Sequence, residues 1–226
     1  MLSHAVGSYQ IREGLAYCVS NDRAIFLDII ANRYFSLPPM LDEIFRRLIS
    51  EEPSEPVQPA ELARLVRANV VLTHGHQNFG LSPLPIVHPL RELRRSGAAT
   101  SKLMLAHCLF AQACASIKLR RRSLAWLPGW AEERRQQSVD KGRAYSVWQD
   151  VADAFAWTAA LWPRSDNCLS SSIAFLDVGL SRGLDAQLVF GVYSSPFSAH
   201  CWVQVGDTVL NDRIENVRTF TPILAV

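Results

Sequence analysis

Cys168, His200 and Asp212 are the residue types that together attack and transfer acyl groups, and all lie in the last third of the chain. Cys168 follows Asp166 and Asn167, both good helix N-cap residues, so its thiol is expected in the first turn of a helix. The unpaired amides and dipole of a helix start favour an anion by about 0.3–1 kcal/mol, and a neighbouring imidazolium lowers a thiol pKa further. His200 stands in the strand-like run "AHCWVQV", and Asp212 ends the next run, "TVLND". Gly206-Asp207 between them predicts a tight hairpin. Such a hairpin returns the carboxylate beside the imidazole, where it can accept the second ring N–H and fix the tautomer.

Cys201 is the competing thiol. Adjacent side chains of a strand point to opposite faces, so Cys201 is expected to face away from His200 as a small buried hydrophobe. The same alternation argues against a metal site built from Cys168, His200, Cys201 and Asp212. The "HGH" at His74 to His76 has no further ligand nearby and reads as a polar loop. Ser170, Ser171 and Ser172 lack a G-x-S-x-G elbow. Trp126, Trp130, Trp148 and Trp157 read as core.

Several elements are needed to hold such a constellation. "LAYCVS" and "AIFLDII" are β-rich runs joined at Asn21-Asp22, and "RYFSL" (33–37) is a third. Pro39 then suits the first turn of a helix, whose stripe is Leu41, Ile44, Phe45 and Leu48. "EEPSEPVQP" reads as a loop, and "PAELARLVRANVVL" as a second helix. The Gly- and Pro-rich stretch 73–89 reads as a boundary. Beyond about Ser96 the pattern becomes long helices. One is expected from Thr100 to about Leu127, and one over "SVWQDVADAFAWTAALW" ending at Pro163. A third starts at Asn167-Cys168 and stops at Gly179 or Gly183. Three strands follow: "AQLVFGVYS", "AHCWVQV" and "TVLND".

The composition sets outer limits. With 226 residues, 49% hydrophobic and 19% charged, the chain can bury a core and is not of the disordered class. A net charge of +2 gives no bulk field for nucleic acid. The basic clusters at Arg91, Arg94 and Arg95 and at 118–122 read as solvated helix faces. Five cysteines without a regular framework fit a reducing, cytoplasmic setting, and the N-terminal residues show no apolar secretion signal. The most apolar stretch, Leu103 to Ile117, is shorter than the ~20 residues that cross a bilayer core, so no transmembrane segment is expected.

These residues, in this order, resemble the transglutaminase-like cysteine proteases. More narrowly, "NCLSSSIAFLDVGLSRGLDAQLVFGV" followed by "SPFSAHCWVQVGDTVLND" resembles the leader peptidases of lasso-peptide biosynthesis. The shared features are Cys168-Leu169, Arg182-Gly183, the run from Leu188 to Val192, Pro196 to His200, Trp202-Val203 and Asn211-Asp212. The chain departs from that pattern at Ser171, often Arg, at Cys201, commonly Ala, and at Gln204, commonly Glu. "AIFLDIIANRYFSLPPMLDEIF" resembles the leader-recognition domains of ribosomal-peptide pathways, small winged-helix-like folds with a three-stranded sheet.

The resemblance implies an α+β chain of two domains. Residues 1–85 would be a winged-helix-like recognition domain, and residues 96–226 a transglutaminase-like (papain-like) peptidase domain of helices on an antiparallel sheet. It implies Cys168 as nucleophile, His200 as base and Asp212 as its orienting partner. The recognition domain would add the leader of a precursor peptide as an extra strand, with Tyr34, Phe35 and Leu37 on the edge run and Leu62 and Leu65 on the facing helix lining the groove. The partners implied are the precursor peptide and a separate ATP-using cyclase. No phosphate loop appears, so no nucleotide site or other cofactor is expected in this chain. An acyl transferase of transglutaminase type and a non-catalytic leader-binding scaffold are the competing readings.

Overall fold

The structure, a computed structural model, describes residues 8–50, 55–74, 86–137, 145–159 and 167–226. His76, Pro163 and Asp166, and most of the boundary stretch 73–89, lie outside them. The chain divides into two compact units, Met1–Leu84 and Pro85–Val226.

In the first unit, β1 (Ser8–Ile11) pairs with β5 (Val71–His74), and β2 (Leu15–Ser20), β3 (Arg23–Asp28) and β4 (Arg33–Ser36) form a separate antiparallel sheet in that order. Asn21 and Asp22 both have positive φ (48° and 58°), the conformation a two-residue type I′ hairpin requires. β3 ends earlier than its apolar run suggests. Asp28 Oδ1 accepts the N–H groups of Ile30 and Ala31 at 3.1 and 2.9 Å, which turns the chain before Ile29-Ile30 can extend the strand.

Helix α1 (Pro39–Ile49) carries Pro39 in its first turn. Its buried Asp42 accepts the Ala24 N–H at 2.8 Å, tying helix to sheet. Helix α2 (Pro59–Arg67) starts on a capping box between Gln58 and Glu61. It stops at Asn69, whose positive φ (56°) gives the left-handed C-terminal turn, so the run read as one long helix becomes a helix followed by β5. Tyr17, Phe26, Phe45, Leu37, Leu62 and Leu65 are buried together in this unit's core.

The second unit holds a five-stranded sheet in the order β10-β7-β8-β9-β6. Its strands are β6 (Arg91–Glu92), β7 (Gln187–Ser194), β8 (Phe197–Val205), β9 (Thr208–Val209) and β10 (Thr221–Ala225). The unit begins before residue 96, because Leu90 and Leu93 already bond to the sheet through Asp207 and Val209. The first helix, α3 (Lys102–Arg121), ends sooner than expected. A 3₁₀ turn at Leu124–Trp126 leads into α4 (Leu127–Gln137), which has Pro128 in its first turn. A proline there lacks only an N–H that had no intrahelical partner, so it starts a helix rather than stopping one.

α5 (Tyr145–Thr158) and α6 (Cys168–Leu180) follow. From Ser170 to Leu180 every residue of α6 except Asp177 is buried, with α3, α5, β7 and β8 against it. α6 closes at Gly183 (φ 78°), where the Leu184 N–H bonds back to the Gly179 carbonyl. Gly179 itself lies inside the helix against the Trp148 ring, where a Cβ would come within 2.7 Å. A short α7 (Ile214–Val217) and β10 complete the unit. Among the described residues no helix is long and apolar enough to cross a membrane.

Candidate active site

Cys168 is the first residue of α6, directly after the N-cap Asn167. The Asn167 carbonyl accepts the Ser171 N–H at 2.9 Å, which starts the helical ladder and leaves the amides of the first turn, including that of Cys168, without ladder partners. The Cys168 side chain is half-buried, and Cys168 and His200 shift each other's protonation. His200 Nε2 donates to Asp212 Oδ2 at 2.7 Å, so Nδ1 is the ring nitrogen left for the thiol.

Asp212 reaches His200 by a different route from a continuing hairpin. β8 and β9 pair only through Gln204–Val209 and Val205–Thr208. Continuing that register would set Asp212 opposite Cys201 and Arg213 opposite His200. The carboxylate would then share the face of Cys201. Instead, the chain leaves the ladder after Leu210 bonds to the Val203 carbonyl. The Asn211 side chain takes the Val203 N–H at 2.8 Å in place of a backbone carbonyl. The bend that follows frees Asp212 from strand alternation. Its other oxygen, Oδ1, accepts the Arg213 N–H at 2.7 Å and the Asn216 side-chain amide at 2.9 Å, which fixes the carboxylate against the imidazole.

Sequence reasoning missed Asn216 and, although it named Asn211 and Ser172, missed the bonds that these two make. Asn211 also donates to Ser172 Oγ at 2.9 Å, and Ser172 donates to the Cys201 carbonyl at 3.2 Å. This chain of bonds locks α6, β8 and the bend together. Its residues are common polar types with no spacing signal, so only the fold reveals them.

The His200 ring packs near Phe220 (5.2 Å between centroids) and Trp202 (6.3 Å). Gly191, paired with His200 across β7 and β8, leaves room for this packing: a Cβ there would lie 2.7 Å from the Trp202 ring and 2.9 Å from Phe220. Trp202 Nε1 donates to Gln204 Oε1 at 2.7 Å, and Gln204 Nε2 donates to the carbonyls of Val87 and Gly206. The glutamine is therefore fully used as a buried strut.

Cys201 is buried, at 2% exposure, as strand alternation leads one to expect. β9 covers β8 only at Gln204 and Val205, so the β8 edge beside Cys201 is not covered by a strand. The Val203 N–H points to that edge, towards Asn211, and the Cys201 N–H two residues earlier points the same way. Cys201 acts with His200 to hold the Cys168 thiol low.

These contacts set the charges. The Cys201 thiol, then the His200 hydrogen bond and charge, outweigh burial and bring the Cys168 thiol down to about 4. Burial disfavours a charged His200, yet the bonds and charges of Asp212 and Cys168 raise it to about 9. A thiol is a weak donor, so the imidazolium charge is the physically firmer cause of the thiolate. By contrast, burial pushes Cys18 up to about 12 and Cys108 up to about 11. Both shifts run towards a thiolate–imidazolium pair, the arrangement that suits an acyl-transferring cysteine.

The groove residues read from the sequence fare differently. Leu37, Leu62 and Leu65 are core, at 5%, 9% and 0% exposure. A ligand could touch them only by repacking that core. Phe35 is half-buried and stacks on Phe26 at 5.1 Å, and Tyr34 is half-exposed on the edge strand β4. Among the described residues no cluster of three or more His, Cys, Asp or Glu could hold a metal.

Residues 111–225, just over half the chain, match the transglutaminase-like superfamily, and the chain belongs to that superfamily. It is also similar to the microcin J25-processing protein McjB of Escherichia coli, 44% identical over 62 residues. That stretch covers 27% of this chain and 29% of McjB, well under two thirds of the relative's length. No solved structure matches the chain.

Proposed function

We propose that the protein is a cysteine peptidase of lasso-peptide maturation, which binds the leader of a precursor peptide and hydrolyses the leader–core bond. The observation that carries this reading is the linked set Cys168–His200–Asp212 at the start of a buried helix. The superfamily and the processing role printed for McjB support it. The Cys168 thiolate attacks the scissile carbonyl. His200, charged and held by Asp212, gives its proton to the leaving amine, and a thioester remains on Cys168. Water, deprotonated by the now neutral His200, releases the acid. The backbone N–H of Cys168 at the helix start is one donor to the oxyanion. A separate ATP-using cyclase then closes the freed core into a macrolactam ring.

The test is incubation with the precursor encoded beside this chain, read by intact mass. Free leader plus free core supports hydrolysis. A cross-linked or amine-capped product sinks it in favour of acyl transfer. Activity should trace a bell against pH. It rises as Cys168 loses its proton near 4 and falls as His200 loses its proton near 9, because a protonated sulfur does not attack and a neutral imidazole cannot protonate the leaving amine. A kcat/KM profile with no acid limb below pH 6, or with its optimum above pH 9, would contradict the ion pair.

For the first unit, the reading is that the leader adds as a strand along β4, the edge of the sheet β2-β3-β4, beside Tyr34 and Phe35. About five main-chain hydrogen bonds at ~1 kcal/mol each, with one or two side-chain anchors, give binding on the order of 1 μM. Residues 1–84 have their own core, so this segment alone is expected to bind the leader with that affinity in a fluorescence-anisotropy titration. No binding by the segment, with undiminished affinity in a chain lacking it, would remove the recognition role.

A further inference from the structure

We propose that a cavity beside Asp212 is the subsite for one substrate side chain close to the cleaved bond, and that it selects a neutral side chain able to donate a hydrogen bond. The inference rests on the cysteine-peptidase reading and names the substrate chemistry of that same site.

The cavity has a volume of about 540 Å³ and is walled by α5, the middle of α3, the first turns of α6 and the bend at 210–213. Ser171 and Asp212 both line it. Ser171 follows Cys168 on α6 by a rise of about 4.5 Å, and Asp212 holds His200 at 2.7 Å. An extended peptide advances about 3.3–3.6 Å per residue, so a substrate held at Cys168 brings to this opening a side chain from within about two residues of the scissile bond. Along α5 and just past its end, Ala152, Ala156 and Ala159 recur at four- and three-residue steps and all line the cavity. Their small side chains leave the volume that a substrate side chain would fill, and Phe155 and Phe175 give it an apolar wall.

Two buried oxygens on the inner wall have no hydrogen-bond partner among the described residues. Gln112 stands in the middle of the apolar helix α3 and is 2% exposed. Its Nε2 donates to Thr158 Oγ1 at 3.2 Å, and Thr158 donates in turn to the Phe155 carbonyl at 3.0 Å, which fixes the amide with its nitrogen at Thr158. Oε1, at the other end, is left without a donor. Ser171, also 2% exposed, has an Oγ in the same condition. Gln112 and Ser171 line the cavity, so both oxygens lie just beneath its surface, where a turn about a side-chain torsion brings them into it. A buried oxygen without a donor is costly, and a ligand that supplies one recovers that cost. The acceptor also decides the ligand class. An amide oxygen takes only a donor, which excludes a carboxylate. A cation would find no free carboxylate at the inner wall: Asp212 is committed to His200, the Arg213 N–H and Asn216, and Glu92 and Glu215 stand exposed at the rim.

The experiment uses the full chain and the precursor encoded beside it. The two residues on each side of the cleaved bond are replaced one at a time by Asn, Thr, Leu, Val, Asp and Lys, and kcat/KM is read from product mass. At one of these positions Asn or Thr is expected to be cleaved about 10–100-fold faster than its isostere Leu or Val, with Asp and Lys slower still. Ser171→Ala and Gln112→Leu should each weaken that preference. The melting temperature of Ser171→Ala should not fall, because the hydroxyl it removes has no bond to lose, and this separates recognition from a structural role. Ala156→Leu keeps a good helix former and fills the cavity, so it should lower cleavage of the preferred form about tenfold, and Gly at that substrate position should recover part of the loss. The inference is overturned, with the peptidase reading left standing, if no position prefers a donor, if neither Ser171→Ala nor Gln112→Leu weakens the preference, or if Ala156→Leu cleaves every form as the wild type does. If Gln112→Leu does not fold, Ser171→Ala and Ala156→Leu decide. A wild-type chain that cleaves no form of the precursor removes the peptidase reading and this inference with it.

Discussion

Cys168→Ala lowers precursor cleavage by at least ~10⁴-fold while leader binding is retained. The side chain removed is half-buried at the first position of α6, where alanine is a good helix residue, so the helix and the packing from Ser170 onwards need not change. His200 remains paired with Asp212, and the bonds of Asn211 and Ser172 remain in place. What disappears is the atom that forms the thioester. A time course of intact precursor mass, run beside a leader-binding titration, separates the two properties. Cleavage within tenfold of wild type at normal binding would show that the nucleophile lies elsewhere, and the non-catalytic scaffold reading would gain.

Asp212→Asn is expected to cost about 10²–10⁴-fold in kcat/KM with little loss of folding stability. The amide is the same size and its oxygen can still accept from His200, but it carries no charge to hold the imidazolium. Its NH₂ can also turn towards the ring and favour the wrong tautomer. Asp212 is the principal group raising His200 to about 9, so in the variant the alkaline limit of activity moves to lower pH. This displacement distinguishes electrostatic holding from packing. A variant that loses activity with its alkaline limit unmoved would show that Asp212 only fills space.

Much of this was legible because local rules act on short stretches. Asn21-Asp22 announced a hairpin, Pro39 a helix start, and Asn167-Cys168 a thiol at a helix N-terminus. The pairing of His200 with Asp212 was legible too, though for an incomplete reason. A turn at Gly206-Asp207 does fold the chain back, but two ladder pairs and a bend, not a long strand, deliver the carboxylate. No periodicity encodes such a bend. Its determinant is the side chain of Asn211 standing in for a backbone acceptor, which requires the neighbouring strand to be in place.

Cys201 shows the same limit. Alternation correctly buried it, but could not show that β9 leaves the β8 edge beside it uncovered, nor that it helps to lower the Cys168 thiol. In the first unit, Leu62 and Leu65 satisfy a helical stripe equally well as groove or as core, and packing against Tyr17, Phe26 and Phe45 decides for core. Strands β1, β5 and β6 escaped notice because their partners lie far along the chain, so no hairpin turn marks them, and β5 continues the apolar run after α2.

Gly191 has no functional group, yet its missing side chain is what lets an indole lie flat beside the imidazole-bearing strand. A saturation survey of this chain should therefore place Gly191 among its least replaceable positions. Alanine there would already disturb the aromatic wall behind His200, and valine would silence the protein as thoroughly as loss of a reacting atom. Intolerance at that position would reflect vacant volume rather than reactivity.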